Sequence, residues 1–273
     1  MSSTAPPAVQ LDRVAVRFPA PAGEQQGYTA IANVSLTVTD GEFLSVVGPT
    51  GCGKSTILNM ISGLLAPSEG SVAVFGETLR GLNRQVGYLF QADAVMPWRD
   101  VLRNVVAGLE IRGVPEAERN RQGREWLARV GLAGKDHLYP HQLSGGMRRR
   151  VALAQMLIVN PRILLMDEPF SALDVQTRLM MENELLDLWN ADRKSVVFIT
   201  HDLEEAISMS DRVVVLSAGP ASHPIGEFVI DLPRPRDVAE IRLTPRFLDL
   251  HTRIWERLRP AVLEGYRQHR DSL

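Results

Sequence analysis

One octapeptide constrains this chain more than any other feature: Gly48-Pro49-Thr50-Gly51-Cys52-Gly53-Lys54-Ser55. Its spacing, two glycines with four residues between them and then Lys and Ser, is that of a phosphate-binding loop. Glycines let the backbone fold tightly enough for several N–H groups to point at one oxyanion. A helix starting at the lysine adds its positive end. Lys54 is then placed to meet the β- and γ-phosphates of a nucleotide, and Ser55 to give a hydroxyl to Mg²⁺. The flanks fit this reading. Residues 43–47 read as a buried strand, and residues 54–65, with Thr56 in the first turn, read as a helix stopped by Pro67 and Gly70.

The remaining pattern places the loop in an α/β sheet. Residues 9–18, 31–38, 71–75 and 86–90 read as strands, and residues 19–27, rich in Pro, Ala and Gly, as a loop. The texture then turns helical, over 100–110, 116–130 and 147–158. Strands resume at 162–166, 196–200 and 212–216, alternating with helices at 175–191 and 203–209. Such alternation predicts a largely parallel sheet covered by helices. We therefore expect a flexible tail over 1–8, a domain over 9–219 and an extension over 220–273. The domain divides into a core, about 9–95 and 160–219, and an inserted helical subdomain, about 96–159. In the extension, Phe247, Leu250, Ile254 and Leu258 share a helical face, expected to pack on the chain's own body.

Composition narrows the function. The 273 residues carry a formal net charge of −2, with no basic excess to indicate nucleic acid. The arginines Arg148 to Arg150 read as a solvated helix face. The N-terminus lacks the basic start and apolar core of a signal peptide. No apolar run approaches the about 20 residues that span a bilayer, so membrane work would need a second, spanning chain. Cys52 is the single cysteine, which excludes an internal disulfide. Its place among backbone amides beside Lys54 predicts a thiolate-prone side chain.

Two further segments complete a chemistry. The apolar run 163–166 delivers Asp167 to the carboxyl edge of the sheet, where ligands of such sheets bind. A carboxylate there can hold Mg²⁺ through water, and the adjacent Glu168 is placed to polarise an attacking water. Leu143-Ser144-Gly145-Gly146-Met147 precedes a helix and forms a second oxyanion cradle. Two cradles on different subdomains suit two chains arranged head to tail, each lending its second cradle to the other's nucleotide.

With these motifs in order, the chain resembles the ATP-binding subunits of ABC transporters over about residues 9–216. The resemblance implies an α/β fold, a P-loop NTPase (RecA-like) core sheet with an inserted helical subdomain. Gly48 to Thr56 is similar to the family's Walker A, Ile163 to Glu168 to its Walker B, and Leu143 to Met147 to its signature. It also implies roles. Glu168 is the general base, His201 contacts the γ-phosphate, and Gln91 senses Mg²⁺ alongside Ser55 and Asp167. Ser171 to Asp174 matches the D-loop, with Asp174 reaching the facing protomer. Phe18 matches the aromatic that stacks on adenine, with Tyr28 as the alternative. Arg149 and Gln155 depart from the family, where glutamine and arginine respectively are common.

Met96-Pro97-Trp98 and Tyr139-Pro140-His141-Gln142 resemble the nitrate, sulfonate and taurine importer group in particular. That implies ATP and Mg²⁺ as cofactors and a homodimer across two ATP. It also implies two transmembrane permease subunits, an extracytoplasmic substrate-binding protein, and a peripheral place on the cytoplasmic face of the inner membrane. Met96 and Trp98 would receive a short permease helix, unless Trp98 packs internally. The competing readings are a soluble ABC ATPase acting on nucleic acid or ribosomes and a small-metabolite kinase. The first usually carries coiled-coil inserts or fused cassettes, and the second leaves the Ser144 cradle unexplained.

Overall fold

The computed structural model describes residues 5–20, 27–92 and 94–271. Strands β1 (Val9–Phe18) and β2 (Tyr28–Val38) mix buried and exposed positions and pair antiparallel. By contrast β3 (Phe43–Val47) is buried at all five positions, as a parallel strand covered on both faces must be. Helix α1 (Lys54–Ser62) follows the phosphate loop and ends at Gly63, whose φ of 74° stops it short of residue 65. Next come β4 (Glu69–Val74), β5 (Glu77–Thr78) and β6 (Val86–Leu89).

The helical stretch holds α2 (Val101–Val105), α3 (Ala107–Ile111), α4 (Glu116–Arg129) and α5 (Gly145–Leu157). The single helix expected over 100–110 is broken at Val106, whose ψ of 0° takes it out of helical register. Strands β7 (Ile163–Asp167), β8 (Ser195–Ile199) and β9 (Arg212–Leu216) then alternate with α6 (Val175–Ala191) and α7 (Leu203–Met209). The chain closes with β10 (Pro224–Val229), α8 (Val238–Ile241) and α9 (Pro245–Asp271).

Two sheets result. The larger has the order β10-β9-β3-β8-β7-β6, parallel except for β10 at its edge, and the smaller the order β2-β1-β4-β5. Strand periodicity sorts side chains to the two faces of the large sheet. Leu44 and Val46 pack with α1 and the small sheet, whereas Phe43 packs with Trp189, Leu185 and Met156 of the opposite helices. Helices α2 to α5 share a core of their own around Val105, Leu127 and Val151. Phe247, Leu250, Ile254 and Leu258 of α9 are buried against α7, β9 and β10. The loop read at 19–27 lies mostly outside the described residues.

Candidate nucleotide site

Four parallel strands bring the chemistry to one edge. Strand β3 ends just before Gly48, β7 at Asp167, β8 just before Thr200 and His201, and β6 just before Phe90 and Gln91. One cavity on that edge is lined by Phe18, Tyr28, Thr50, Lys54, Ser55, Gln91, Glu168 and His201.

The loop itself depends on glycine. Gly53, at φ 89°, caps the start of α1 in the left-handed region. A Cβ on Gly48 would lie 2.8 Å from the Cys52 sulfur and 3.1 Å from the Leu216 side chain. The Lys54 ammonium is nearly buried and donates to the carbonyls of Gly48 (2.9 Å) and Pro49 (3.0 Å). Cys52 corrects the sequence reading. It is fully buried under the loop, and burial pushes its thiol up despite the nearby Lys54 charge and backbone hydrogen bonds. The position beside Lys54 was legible, but the desolvation that outweighs it was not.

Asp167 is buried, 8% exposed. Burial pushes its carboxyl up and Glu168 adds to the rise, while the Ser55 hydroxyl and the charges of Lys54 and Arg149 oppose it. Glu168 turns away at φ 43°, a left-handed backbone for a residue with a side chain. Its Oε2 accepts from Gln91 Nε2 at 3.2 Å and lies 3.1 Å from His201 Nδ1. Gln91, Glu168 and His201 thus converge on one carboxylate oxygen. Phe18 and Tyr28 are cross-strand partners, both partly exposed, and the Tyr28 hydroxyl donates to the Gly51 carbonyl at 3.3 Å.

The Ser144-Gly145-Gly146 segment stands apart. Ser144 caps α5 by accepting from the Met147 amide at 3.3 Å. Asp174 caps α6 by accepting from the Thr177 amide at 3.0 Å, which holds its carboxyl below the usual range. Ser144, Gly145, Gly146 and Asp174 do not line the cavity that holds Lys54. They are tied to each other, because a Cβ on Gly146 would lie 2.8 Å from the Thr177 methyl.

Arg149 overturns the reading of a solvated arginine face. It is 3% exposed, and its guanidinium donates from Nε to the Pro169 carbonyl (2.5 Å) and from Nη1 to the Phe90 carbonyl (2.7 Å). Arg148 and Arg150 are part-buried, bonded to the carbonyls of Leu143 and Val130. Helical periodicity carried the missed signal. Arg149, Ala152, Leu153 and Met156 lie on one face, and the last three are plainly core residues.

A parallel sheet with a glycine-rich phosphate cradle and a carboxylate pair at its carboxyl edge defines a P-loop ATPase. The ABC transporter family matches residues 31–171. An uncharacterized ABC transporter ATP-binding protein of Methanocaldococcus jannaschii is 47% identical over 237 residues, 86% of each chain. The taurine import ATP-binding protein TauB of Yersinia pestis is 44% identical over 197 residues, 72% of this chain and 77% of its own. A dimeric ATP-binding cassette solved in a post-hydrolysis state with ADP and Pi superposes at a TM-score of 0.73 and 31% identity. It covers 82% of this chain and 100% of its own. The chain belongs to the ABC transporter ATP-binding family, and it is an ATPase of that type.

Proposed function

We propose that this ATPase energises import of a small solute, an anion such as nitrate, sulfonate or taurine, with Glu168 as its general base. The observation that carries the chemistry is the convergence of Gln91 and His201 on Glu168 Oε2 beside the Lys54 loop. A water held by Glu168 attacks the γ-phosphorus of ATP as its proton passes to the carboxylate. The bond from the γ-phosphorus to the bridging oxygen breaks, leaving ADP and phosphate. Lys54, drawn from the loop carbonyls, and the loop amides take up charge on the β- and γ-phosphates. His201 orients the γ-phosphate, and Phe18 or Tyr28 stacks on adenine.

Ser55 and Asp167 fit Mg²⁺, with Gln91 nearby. They are hard oxygen donors, the Ser55 hydroxyl acting against the burial of the Asp167 carboxyl, and among the described residues no three His, Cys, Asp or Glu cluster into a closed cage. That is the donor set of an ion held mainly by phosphates and water. Held by Ser55 and Asp167, Mg²⁺ would neutralise phosphate charge there. The separation of the Ser144 cradle from the Lys54 cavity supports a homodimer in which two ATP lie between protomers, with Asp174 at the crossing.

Among the described residues no helix is long and apolar enough to cross a membrane; in this reading the pathway belongs to two permease subunits, fed by an extracytoplasmic binding protein. Trp98 supports the docking place. It is 74% exposed, which removes internal packing as its role. Buried Asn104 holds its loop by donating to the carbonyls of Met96, Arg99 and Asp100. A groove beside Trp98, lined by Arg99, Arg103, Glu110, Arg119 and Asp136, offers charges of both signs to a short helix. Similarity to a taurine import protein favours an importer over nucleic-acid work. Co-expression with the membrane subunits tests it. Trp98→Ala should lower recovery of the permease on the tagged ATPase and abolish solute-stimulated hydrolysis, with basal ATPase activity intact. Unchanged recovery and stimulation would reject this docking place.

A further inference from the structure

The Ser144 cradle and the reacting carboxylate lie on different parts of the chain, and one buried side chain joins them. Arg149 leaves α5 little more than one turn after Ser144. Two of its hydrogen bonds end on Pro169, the residue after Glu168, and on Phe90, the residue before Gln91. The side chains of Gln91 and Glu168 are themselves hydrogen-bonded at 3.2 Å. One rigid guanidinium therefore grips the backbone on both sides of that pair. Its planar fork suits two carbonyls at a fixed separation, which a lysine ammonium cannot reproduce. A buried cation is costly unless its field is answered. Here the carbonyls of Pro169 and Phe90 contribute to that answer.

We propose that Arg149 is a positioning residue: it fixes the Gln91–Glu168 pair relative to the cradle helix, so that docking of the cradle on a nucleotide sets the geometry of the base. The inference rests on Glu168 being the general base. Movement of α5 is passed to both catalytic loops at once, because neither carbonyl can shift without breaking its bond to the same guanidinium.

The test uses the full-length protein in its transporter assembly, with Arg149→Met, Arg149→Lys, Gln91→Ala and the Arg149→Met/Gln91→Ala double variant. Arg149→Met should lower kcat by about 10²-fold, the scale of a misplacement near 1 Å, while ATP affinity stays within about threefold, because Arg149 does not line the nucleotide cavity. Arg149→Lys keeps one carbonyl bond and should recover part of the loss. In the Gln91→Ala background, Arg149→Met should cost less than about threefold, since two residues acting through one geometry are not additive. Should Arg149→Met fail to fold, Arg149→Ala takes its place in the cycle. A kcat within twofold of wild type, or losses that multiply in the double variant, would overturn the proposal. Glu168→Gln, assayed alongside, separates the two ideas. An inactive Glu168→Gln with an active Arg149→Met defeats the positioning role alone, whereas an active Glu168→Gln defeats the base.

Discussion

Glu168 and Asp167 are neighbours with opposite surroundings. Asp167 ends a strand buried at every position, whereas Glu168 swings out through a left-handed backbone. That conformation costs about 1–3 kcal/mol for a residue with a side chain and concentrates at functional sites. Here the turn separates the carboxyls, leaving one beside Ser55 and the other between Gln91 and His201. Glu168→Gln should keep ATP binding and lower turnover by about 10²- to 10⁴-fold. With the ATP unhydrolysed, the protein should elute as an ATP-dependent dimer on size exclusion. Wild-type turnover in that variant, or a monomer at saturating ATP, would contradict the assigned base or the shared site respectively. Lys54, Ser55, Asp167 and Glu168 were legible because short spacing alone places them. Cys52 and Arg149 were misread because solvent exposure decides their chemistry, and exposure depends on distant residues such as Leu216 and Phe90.

At the scale of elements, caps account for what could be read. Helices α6 and α7 start where Asp174 and Asp202 accept from the amides of Thr177 and of Glu204 and Glu205, and a side-chain cap of this kind is a local signal. Helix α9 was legible by its stripe of Phe247, Leu250, Ile254 and Leu258. Strand β10 was not, because its Pro224 and Gly226 suggest a turn and it is placed by pairing with β9 and packing against α9. The attachment of α9 can be measured. Ile254 is fully buried and Leu248 is 57% exposed. Ile254→Ala should cost about 2–5 kcal/mol in chemical denaturation, and Leu248→Ala less than about 0.5 kcal/mol. Similar losses at both positions would mean that α9 is not held through this face.

Across the whole molecule, a partly buried charged cluster around Glu182 and Glu205 ties the terminal segment to the nucleotide edge. Arg242, just after α8, reaches Glu182 of α6 at 2.9 Å and Glu204 of α7 at 3.2 Å. Arg178 of α6 lies 3.4 Å from Asp202, the residue after His201, and 3.8 Å from Glu205. Burial, helped by Glu205 and Asp202, pushes the Glu182 carboxyl up to about 8 from an ordinary 4.5, against the pull of Arg242 and Arg178. Glu205 is also raised, chiefly by burial. A folded state that holds a proton which the unfolded chain has released loses stability as pH rises. For Glu182 the window runs from its ordinary 4.5 to about 8. The melting temperature should therefore fall across that window, and Glu182→Gln should flatten part of the decline. Parallel melting curves for variant and wild type at every pH would exclude Glu182 as the source.

The amino-acid sequence by itself determined the alternation of strands and helices, the glycine-rich loop and the adjacent carboxylates, and so the ATPase class. Each of these is a short-range pattern, written in spacing and periodicity. Only the tertiary structure decided that Gln91 and His201 meet on one oxygen of Glu168, that Cys52 is sealed away, and that Arg149 faces inward to grip two loops. Those outcomes turn on which groups lose water and which backbones approach across tens of residues, and local residue preferences do not specify either.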